Sequence, residues 1–265
     1  MSDLHFGRDR PELHAPMLAA VNRLQPDLVV ISGDLTQRAL AGQFRSAQAF
    51  ISRLDARVLS VPGNHDVPLY NLAQRFFHPW RGFRRAFGPE LEPGFSSAEL
   101  VVAGMNTADP LSWQRGRVRS GSLARACARF RAAPPQALRV LVAHHPFEQA
   151  ADAGKTPTRG AQEALRRLRA CGLDIVLTGH LHKWSVGPYR RLRAGAGALQ
   201  IQAGTGLSTR QRGEENDFNL ITREGPRLSV TRYVATPDGF VALPVLHMHR
   251  SGSGWAGQEE GGTGS

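Results

Sequence analysis

The chain is organised around the stretch Val61–Asp66, with the sequence VPGNHD. It follows a short apolar run that predicts a strand. Gly63 is expected to let the backbone turn sharply where this strand ends. Asn64, His65 and Asp66 then offer an amide oxygen, an imidazole and a carboxylate at the carboxyl end of a strand, where open α/β sheets place their ligand sites. A polar turn in which Asp66 caps a helix accounts for the same residues.

Length and composition indicate one globular domain. The chain has 265 residues, of which 41% are hydrophobic, and it is long enough to bury one large core. No apolar run is long enough to predict a membrane span, and the first residues lack the pattern of a signal peptide, so we expect no membrane partner. Cys127 and Cys171 lie far apart in helix-like stretches and predict neither a metal site nor a disulfide framework. A reducing, cytoplasmic location is expected on these grounds.

The chain is strongly basic, with a formal net charge of +11. Only Lys155 and Lys183 are lysines, and the other basic residues are arginines. The arginines are scattered and have no aromatic stacking strip beside them, so nucleic acid is a disfavoured partner. A positive field would still attract a small phosphate-bearing substrate.

Apolar runs alternate with helical periodicity, which predicts a layered α/β fold. Helices are predicted over 11–24, 39–54, 123–132 and 161–170. Strands are predicted over 28–31, 58–61, 100–105, 138–143 and 173–178, followed by antiparallel strands over 199–203, 218–222, 228–234 and 240–248. We assign residues 1–250 to one domain. Within it, the aromatic and arginine-rich segment 67–94 predicts a helical cap over the site, and the Gly/Ser-rich segment 251–265 predicts a disordered tail.

Polar side chains suited to metal binding follow five strand-like runs. One such residue at a strand end is weak evidence, since Asp34 could cap a helix and the first residues could be a frayed terminus. Five sets in series are not expected of structural polar residues. They are Asp3 with His5, Asp34, Asn64 with His65, His144 with His145, and His180 with His182.

The donor types indicate which ions would bind. Asp, Asn and His without cysteine suit Mn, Fe, Zn, Co or Ni rather than calcium or a thiolate-bound zinc. The donors are too many for one ion and enough for two, and one carboxylate would bridge them. Two metal ions roughly 3.5–4 Å apart are a recurring device of phosphate-ester hydrolysis, in which a metal-bridging hydroxide attacks phosphorus in line.

These motifs, in this order and spacing, resemble those of the calcineurin-like metallophosphoesterase superfamily. The resemblance covers residues 3–182, and the segment His144–Pro146 (HHP) is similar to the bacterial class III cyclic-nucleotide phosphodiesterase branch. It implies a four-layer α/β/β/α sandwich of two mixed β-sheets flanked by helices. It also implies a phosphodiesterase that acts on cyclic nucleotides or other small phosphodiesters.

The resemblance implies a role for each matching residue. Asp34 would bridge the ions, and His65 would donate to the phosphate or protonate the leaving oxygen while Asp66 orients its ring. His145 would lie behind the ligands, and Arg210 or Arg212 could reach a phosphate. The first ion would be held by Asp3, His5 and His182, and the second by Asn64, His144 and His180.

One departure from the family pattern concerns the beginning of the chain. Members have a full apolar strand before the Asp-x-His motif, whereas only Met1 and Ser2 precede Asp3 here. We therefore expect the true start to lie upstream and Asp3 to be tethered by a loose terminus.

Other functions of the same superfamily are open alternatives. A DNA exonuclease would need a DNA-capping domain for which 265 residues leave little room. A lipid-sugar pyrophosphohydrolase would need a larger hydrophobic lid than the segment 69–87 offers. A non-catalytic scaffold would be expected to have lost ligands, whereas all seven are present. A homodimer is compatible with any of these functions.

Overall fold

Helices and strands alternate along most of the chain, as the sequence predicts. The computed structural model describes residues 1–149, 154–189, 197–251 and 254–257. The α-helices are His14–Leu24 (α1), Ala41–Ile51 (α2), Leu72–Phe77 (α3), Arg81–Phe87 (α4), Ser120–Arg131 (α5) and Ala161–Ala170 (α6). The first nine strands are Val29–Ile31 (β1), Val58–Ser60 (β2), Gly94–Ser96 (β3), Leu100–Met105 (β4), Leu138–Ala143 (β5), Ile175–Thr178 (β6), Ser185–Pro188 (β7), Leu199–Gln202 (β8) and Asp217–Glu224 (β9). The last four are Arg227–Thr236 (β10), Gly239–Ala242 (β11), Leu246–Ser251 (β12) and Gly254–Gly257 (β13).

The central sheet has six strands in the order β3-β4-β5-β6-β8-β7. Strands β4, β5, β6 and β8 run parallel, and antiparallel β3 and β7 form the two edges. Side chains alternate between the faces of β4, because successive residues of a strand point in opposite directions. Val101 and Met105 join the core beneath α5 and α6, whereas Val102 joins the core on the opposite face.

A second, antiparallel sheet of strands β9 to β13 covers that opposite face. Leu228 and Val230 of β10 pack in the same core as Val102 and Ile175 of the central sheet. On the outer side, Phe218 of the second sheet shares a core with residues of α1 and α2. The layers therefore run helix, sheet, sheet, helix, and the predicted α/β class with mixed sheets is confirmed.

Strands β1 and β2 form a separate parallel pair beside these sheets. The first residues of the chain lie along β1 and the loop after it. The backbone amides of Asp3, His5 and Phe6 donate to carbonyls of residues 33–35 at 2.9–3.1 Å. Leu4 and Phe6 are buried in the core. The expectation of a loosely tethered Asp3 is wrong, because backbone bonds and apolar side chains hold the residues around it.

The predicted cap segment 67–94 contains the short helices α3 and α4. Helix α4 packs against α2 and buries Phe83 completely. Helix α3 is tied to the loop 107–116, since the Arg75 guanidinium donates to the carbonyls of Pro110 and Ser112 at 2.8 and 2.7 Å. This loop lies beside the candidate site, since Asn64 Nδ2 approaches the Trp113 carbonyl at 3.5 Å.

Part of the segment 251–265 has regular structure, which corrects the prediction of a disordered tail for that part. Strand β13 pairs with β12, and Trp255 is buried against the core between the sheets. Burial of this one large apolar side chain explains why a short strand forms in a Gly-rich segment. Residues 252–253 and 258–265 lie outside the described residues. Within the described part, no helix is both long and apolar enough to cross a membrane.

Cys127 and Cys171 form a disulfide, which corrects the prediction that they are unpaired. Cys127 lies on α5 and Cys171 directly follows α6, and the packing of these two helices brings the Cα atoms to 5.3 Å. Sequence spacing alone did not reveal the pair, because 44 residues separate the two cysteines. The prediction of a reducing compartment depended on two unpaired cysteines, and the disulfide removes that support.

Replacing both cysteines with alanine is expected to lower the free energy of unfolding by about 4 kcal/mol, because the disulfide closes a long loop in the unfolded chain. Urea unfolding followed by circular dichroism measures the change. Dithiothreitol should shift the midpoint of the unsubstituted protein and leave that of the double variant where it is. Equal midpoints for the two proteins under oxidising conditions would contradict the prediction.

Candidate metal centre

The proposed ligands lie on loops that leave the carboxyl ends of the strands. Asp34 follows β1, Asn64 follows β2, His144 follows β5 directly and His180 follows β6. Asp3 is bound to the loop after β1 by a hydrogen bond from its amide to the Gly33 carbonyl, at 3.1 Å. Strands β1 and β2 are parallel neighbours, and so are β5 and β6 in the central sheet. Within each pair the carboxyl ends lie side by side, which brings residues far apart in sequence together.

Backbone conformation marks the same residues. Seven non-glycine residues in the described part have a positive φ, and five of them are proposed ligands. The left-handed region disfavours residues with a Cβ atom, so each such residue costs the fold on the order of 1 kcal/mol. Strain of this kind persists where surrounding structure enforces it, and it clusters at functional sites. The five residues are Asp3 (53°), His5 (50°), Asp34 (52°), His180 (72°) and His182 (56°).

The first cluster contains Asp3, His5 and His182. The Nε2 atoms of His5 and His182 are 3.3 Å apart, and Asp3 Oδ1 lies 3.4 Å from the former and 3.1 Å from the latter. Ligands about 2.1 Å from one ion are separated by roughly these distances. The ligand atoms of the three buried side chains therefore surround a single point.

The second cluster contains Asn64, His144 and His180. His144 Nε2 lies 3.2 Å from Asn64 Oδ1 and 3.3 Å from His180 Nδ1. Asp34 lies between the two clusters, with Oδ2 at 3.6 Å from His5 Nε2 and 3.2 Å from His144 Nε2. Its other oxygen, Oδ1, accepts from the His65 amide at 2.8 Å, which holds the carboxylate in this orientation.

Backbone carbonyls determine which nitrogen of two ligand histidines is protonated. His144 Nδ1 lies 2.8 Å from the Ser32 carbonyl, and His182 Nδ1 lies 2.7 Å from the Arg210 carbonyl. A carbonyl can only accept, so both Nδ1 atoms carry the proton. The Nε2 atoms then face the cluster, which is the arrangement typical of metal-binding histidines.

Two buried polar atoms at the centre of the site have no hydrogen-bond partner. They are Asp3 Oδ1 and His5 Nδ1. Asp3 Oδ1 is close to two imidazole nitrogens, yet the geometry is not that of a hydrogen bond. An unsatisfied buried carboxylate oxygen is costly, and a divalent cation would satisfy it. The residues of the structure therefore fit the divalent metals that the sequence predicts.

The charges of the cluster are strongly coupled. Burial by itself would raise the pKa of Asp3 and of Asp34, but the neighbouring histidines hold both values well below normal. Burial would lower the pKa of His144, yet Asp34 raises it to about 9. Burial together with His145 and His144 keeps the pKa of His180 well below its usual value. Ionised carboxylates beside imidazoles favour cation binding.

Close approach between loops explains two of the glycines. The chain does turn here, since a 3-10 helix begins at Asn64, but the φ of Gly63 is −101°, which any residue adopts. The prediction that this turn requires a glycine is therefore wrong. A Cβ atom on Gly63 would instead lie 2.1 Å from Asp34 Oδ1. A Cβ atom on Gly179 would lie 2.4 Å from Asp3 Oδ2. At both positions the absence of a side chain lets one ligand loop pack against a carboxylate from another loop.

Asp66 does not make the contact predicted for it. Its oxygens accept from the amides of Leu35 (3.2 Å), Thr36 (2.8 Å) and Gly63 (2.9 Å), and from the Thr36 hydroxyl (2.8 Å). The Gln37 carbonyl, 2.9 Å from His65 Nδ1, orients the His65 ring instead. Asp66 therefore joins the Asp34 loop to the Asn64 loop, and its place next to His65 in the sequence was misleading.

His65 lies between two arginines. Arg210 Nη1 is 2.8 Å from His65 Nε2, and Arg38 Nη1 is 3.2 Å from Nδ1. Because His65 Nδ1–H donates to the Gln37 carbonyl, Nε2 is the acceptor for Arg210. Burial lowers the pKa of His65 to about 4, with Asp34 opposing and His5 adding to the decrease. The imidazole is therefore neutral near pH 7 in the metal-free protein.

His145 is buried next to the second cluster, and both of its nitrogens have partners elsewhere. Nδ1 is 2.9 Å from the Thr107 hydroxyl and Nε2 is 3.1 Å from the Gln114 carbonyl. It could complete a metal-binding group with His144 and His180 only by giving up these contacts. The geometry agrees with a place for His145 behind the ligands.

Three residues near the site were missed by sequence reasoning. Ser2 donates to Asp3 Oδ2 at 2.6 Å, Arg38 contacts His65, and the Lys155 ammonium donates to the His180 carbonyl. Lys155 did carry a signal, since it is one of only two lysines in an arginine-rich chain. Ser2 and Arg38 carried none, because a serine or arginine beside a polar motif is ordinary.

Comparison with known proteins agrees with this site. The profile of the family described as calcineurin-like phosphoesterase matches residues 1–184. No protein with curated annotation gives a significant match.

Two solved structures resemble the fold. Purple acid phosphatase PPD1 from yellow lupin (Lupinus luteus) seeds superposes with a TM-score of 0.65 and 12% identity, covering 88% of this chain and 48% of that one. Our chain thus spans about half the length of that phosphatase. Vacuolar Protein Sorting 29 from Cryptosporidium parvum gives a TM-score of 0.50 and 17% identity, covering 94% and 95% of the two chains. At these identities the likeness establishes the fold alone.

The family profile covers well over half of the chain, and it includes every residue of the two clusters. The chain therefore belongs to the calcineurin-like phosphoesterase family.

Proposed function

We propose that this protein is a dinuclear phosphodiesterase that hydrolyses small phosphodiesters, including 3′,5′-cyclic nucleotides. One observation carries the proposal: Asp34 Oδ2 lies within 3.6 Å of a nitrogen in each of two ligand clusters. A carboxylate so placed suits a bridge between two ions. The first ion would be held by Asp3, His5 and His182, and the second by Asn64, His144 and His180.

The donors are all nitrogen and oxygen, which supports Mn, Fe, Zn, Co or Ni as the metal. When bound, such ions supply Lewis acidity toward phosphoryl oxygens and make water acidic enough to react near neutral pH. The chain's own residues must then bind the substrate anion and handle the proton of the leaving group.

Arg38 and Arg210 are placed to bind the anion. Both guanidinium groups contact the ring of His65, which lies against the cluster. Guanidinium groups pair with phosphate oxygens through directed hydrogen bonds. In our proposal, substrate displaces Arg210 from His65 Nε2. The freed Nε2 would take up a proton from solvent and give it to the leaving oxygen, while Nδ1–H stays hydrogen-bonded to the Gln37 carbonyl.

A diester rather than a monoester is proposed because His144–Pro146 resembles the cyclic-nucleotide branch. We propose a small phosphate ester as substrate, with nucleic acid disfavoured and a homodimer as the oligomeric state to test. Disulfides persist in oxidising compartments, so the Cys127–Cys171 bond favours such a compartment over the cytoplasm that we had expected.

A substrate panel tests the proposal. Protein loaded with Mn²⁺ should hydrolyse bis(p-nitrophenyl) phosphate and 3′,5′-cyclic nucleotides at least about tenfold faster, as kcat/KM, than p-nitrophenyl phosphate. Linear single-stranded DNA is included as the exonuclease substrate, and metal analysis should find two ions per chain. Faster hydrolysis of the monoester, or of DNA, would contradict the proposed substrate class. An absence of all hydrolysis at full metal loading would favour the scaffold.

A further inference from the structure

Helix α3 has its polar and apolar faces reversed. Arg75 is 3% exposed, and its guanidinium donates to the carbonyls of Pro68, Pro110 and Ser112 at 2.7–2.9 Å. Its neighbours Phe76 and Phe77 are 53% and 78% exposed. A buried arginine beside exposed phenylalanines opposes the usual hydrophobic pattern. Departures of this kind are expected where a surface has a function.

The exposed phenylalanines belong to a larger surface, which we call the mouth patch. Eleven large hydrophobic residues in the described part are exposed, and seven of them belong to this patch. Arg75 lies over the Trp113 ring at 4.6 Å, and Arg38 Nε lies 3.3 Å from the Tyr70 hydroxyl, so the three contributing segments are held together. The patch consists of Leu40, Tyr70, Leu72, Phe76, Phe77, Leu111 and Trp113.

The mouth patch borders the metal centre. Asn64 Nδ2 approaches the Trp113 carbonyl at 3.5 Å, and Arg38 contacts the His65 ring at 3.2 Å. The next residue of the same loop, Gln114, accepts from His145 at 3.1 Å. Anything bound to the patch would therefore lie next to the proposed ligand Asn64.

The segments that form the patch are basic. Residues 36–45, 67–88 and 107–117 contain eight arginines, of which all but Arg75 are at least partly exposed, and one acidic residue, Asp109. Exposed aromatic and aliphatic side chains among cationic groups are typical of proteins that bind anionic lipid surfaces. A second copy of the chain fits less well, because a two-fold interface would place the same arginine-rich patch on both sides.

We infer that the mouth patch docks this protein on an anionic lipid surface, with Phe76, Phe77 and Trp113 among the headgroups. The metal centre would then face phosphate esters at that surface, an orientation whose meaning rests on the proposed function. The docking itself is independent of the proposed function. Our sequence-based expectation of no membrane partner depended on the lack of a spanning segment, which peripheral docking does not need.

Vesicle sedimentation with the full-length protein tests the docking without any catalytic measurement. Vesicles of phosphatidylcholine with 30% phosphatidylserine should bind the protein, and pure phosphatidylcholine should bind it at least about tenfold more weakly. The double substitution Phe76→Ser with Phe77→Ser should weaken binding to the anionic vesicles by about tenfold or more. Both side chains are exposed, so the fold should be retained, as circular dichroism can verify.

Leu243→Ser is the matched control. Leu243 belongs to the other exposed apolar group, at β11 and β12, and its substitution should leave vesicle binding unchanged. Equal binding by the Phe76/Phe77 double variant and the unsubstituted protein would overturn the inference. A second outcome would also overturn the inference. The protein would not bind anionic vesicles, and sedimentation equilibrium would show a dimer that the double substitution dissociates. If the protein binds the vesicles but hydrolyses no phosphate ester, the docking inference stands and only the proposed function is rejected.

Discussion

Asp34→Asn is expected to reduce phosphodiester turnover by about 10⁴-fold or more and to leave fewer than two metal ions bound per chain. The asparagine oxygen can still accept from the His65 amide, as Asp34 Oδ1 does at 2.8 Å. Its NH₂ group would replace the Oδ2 atom that lies between the two clusters, and this group has no lone pair for a metal. Asparagine also tolerates the positive φ of 52° at this position.

Metal analysis by mass spectrometry and kcat with bis(p-nitrophenyl) phosphate measure these effects. Asp174→Asn is the matched control, because Asp174 is also a buried aspartate. It accepts from the Arg139 amide near the start of β5, whereas the ligands lie at the carboxyl ends of the strands. It should leave metal content and turnover unchanged. Two tightly bound ions and near-normal turnover in Asp34→Asn would contradict the bridging role proposed for Asp34.

Asp66→Ala is expected to lower the free energy of unfolding of the metal-free protein by about 4 kcal/mol. The substitution leaves three backbone amides, those of Leu35, Thr36 and Gly63, without their acceptor in a buried place. Each buried donor without a partner costs roughly 1–3 kcal/mol. Urea unfolding with excess chelator measures the change, and amide exchange should speed up most at these three residues.

His65→Ala separates this structural role from an orienting one. His65 is partly exposed and the polar contacts of its ring are with Gln37, Arg38 and Arg210, so its removal should change unfolding little while lowering kcat by about 100-fold. If Asp66 acted only by orienting the imidazole, the two variants would match in both stability and kcat. A normal unfolding midpoint for Asp66→Ala would count against the role of joining the two loops.

Much of the fold could be predicted from local pattern. Mainly apolar runs over 138–143 and 173–178 predicted strands, which the structure has at 138–143 and 175–178, and the helical periodicity of 161–170 predicted α6. The segments that were wrong depend on distant partners. Trp255 forms part of a strand only because a core is available to cover it, and Cys127 meets Cys171 only because α5 packs beside α6.

The candidate site divides in the same way. Residue types and their positions after strands were enough to predict the metal donors, because metal binding needs particular atoms at the carboxyl ends of a sheet. Neighbours in sequence were a poor guide to what holds each donor in place. Gln37 rather than Asp66 orients His65, and Gly63 is needed for its approach to Asp34 rather than for a turn.

Periodicity and short motifs were therefore enough to predict the α/β class, the family and the set of proposed metal donors. Only the tertiary structure decided that Asp34 lies between two clusters, that Arg38 and Arg210 flank His65, and that aromatic side chains surround the mouth of the site. The physical reason is that these features are distances between loops of different strands. Such distances are set by the packing of the sheets and not by any one segment of the chain.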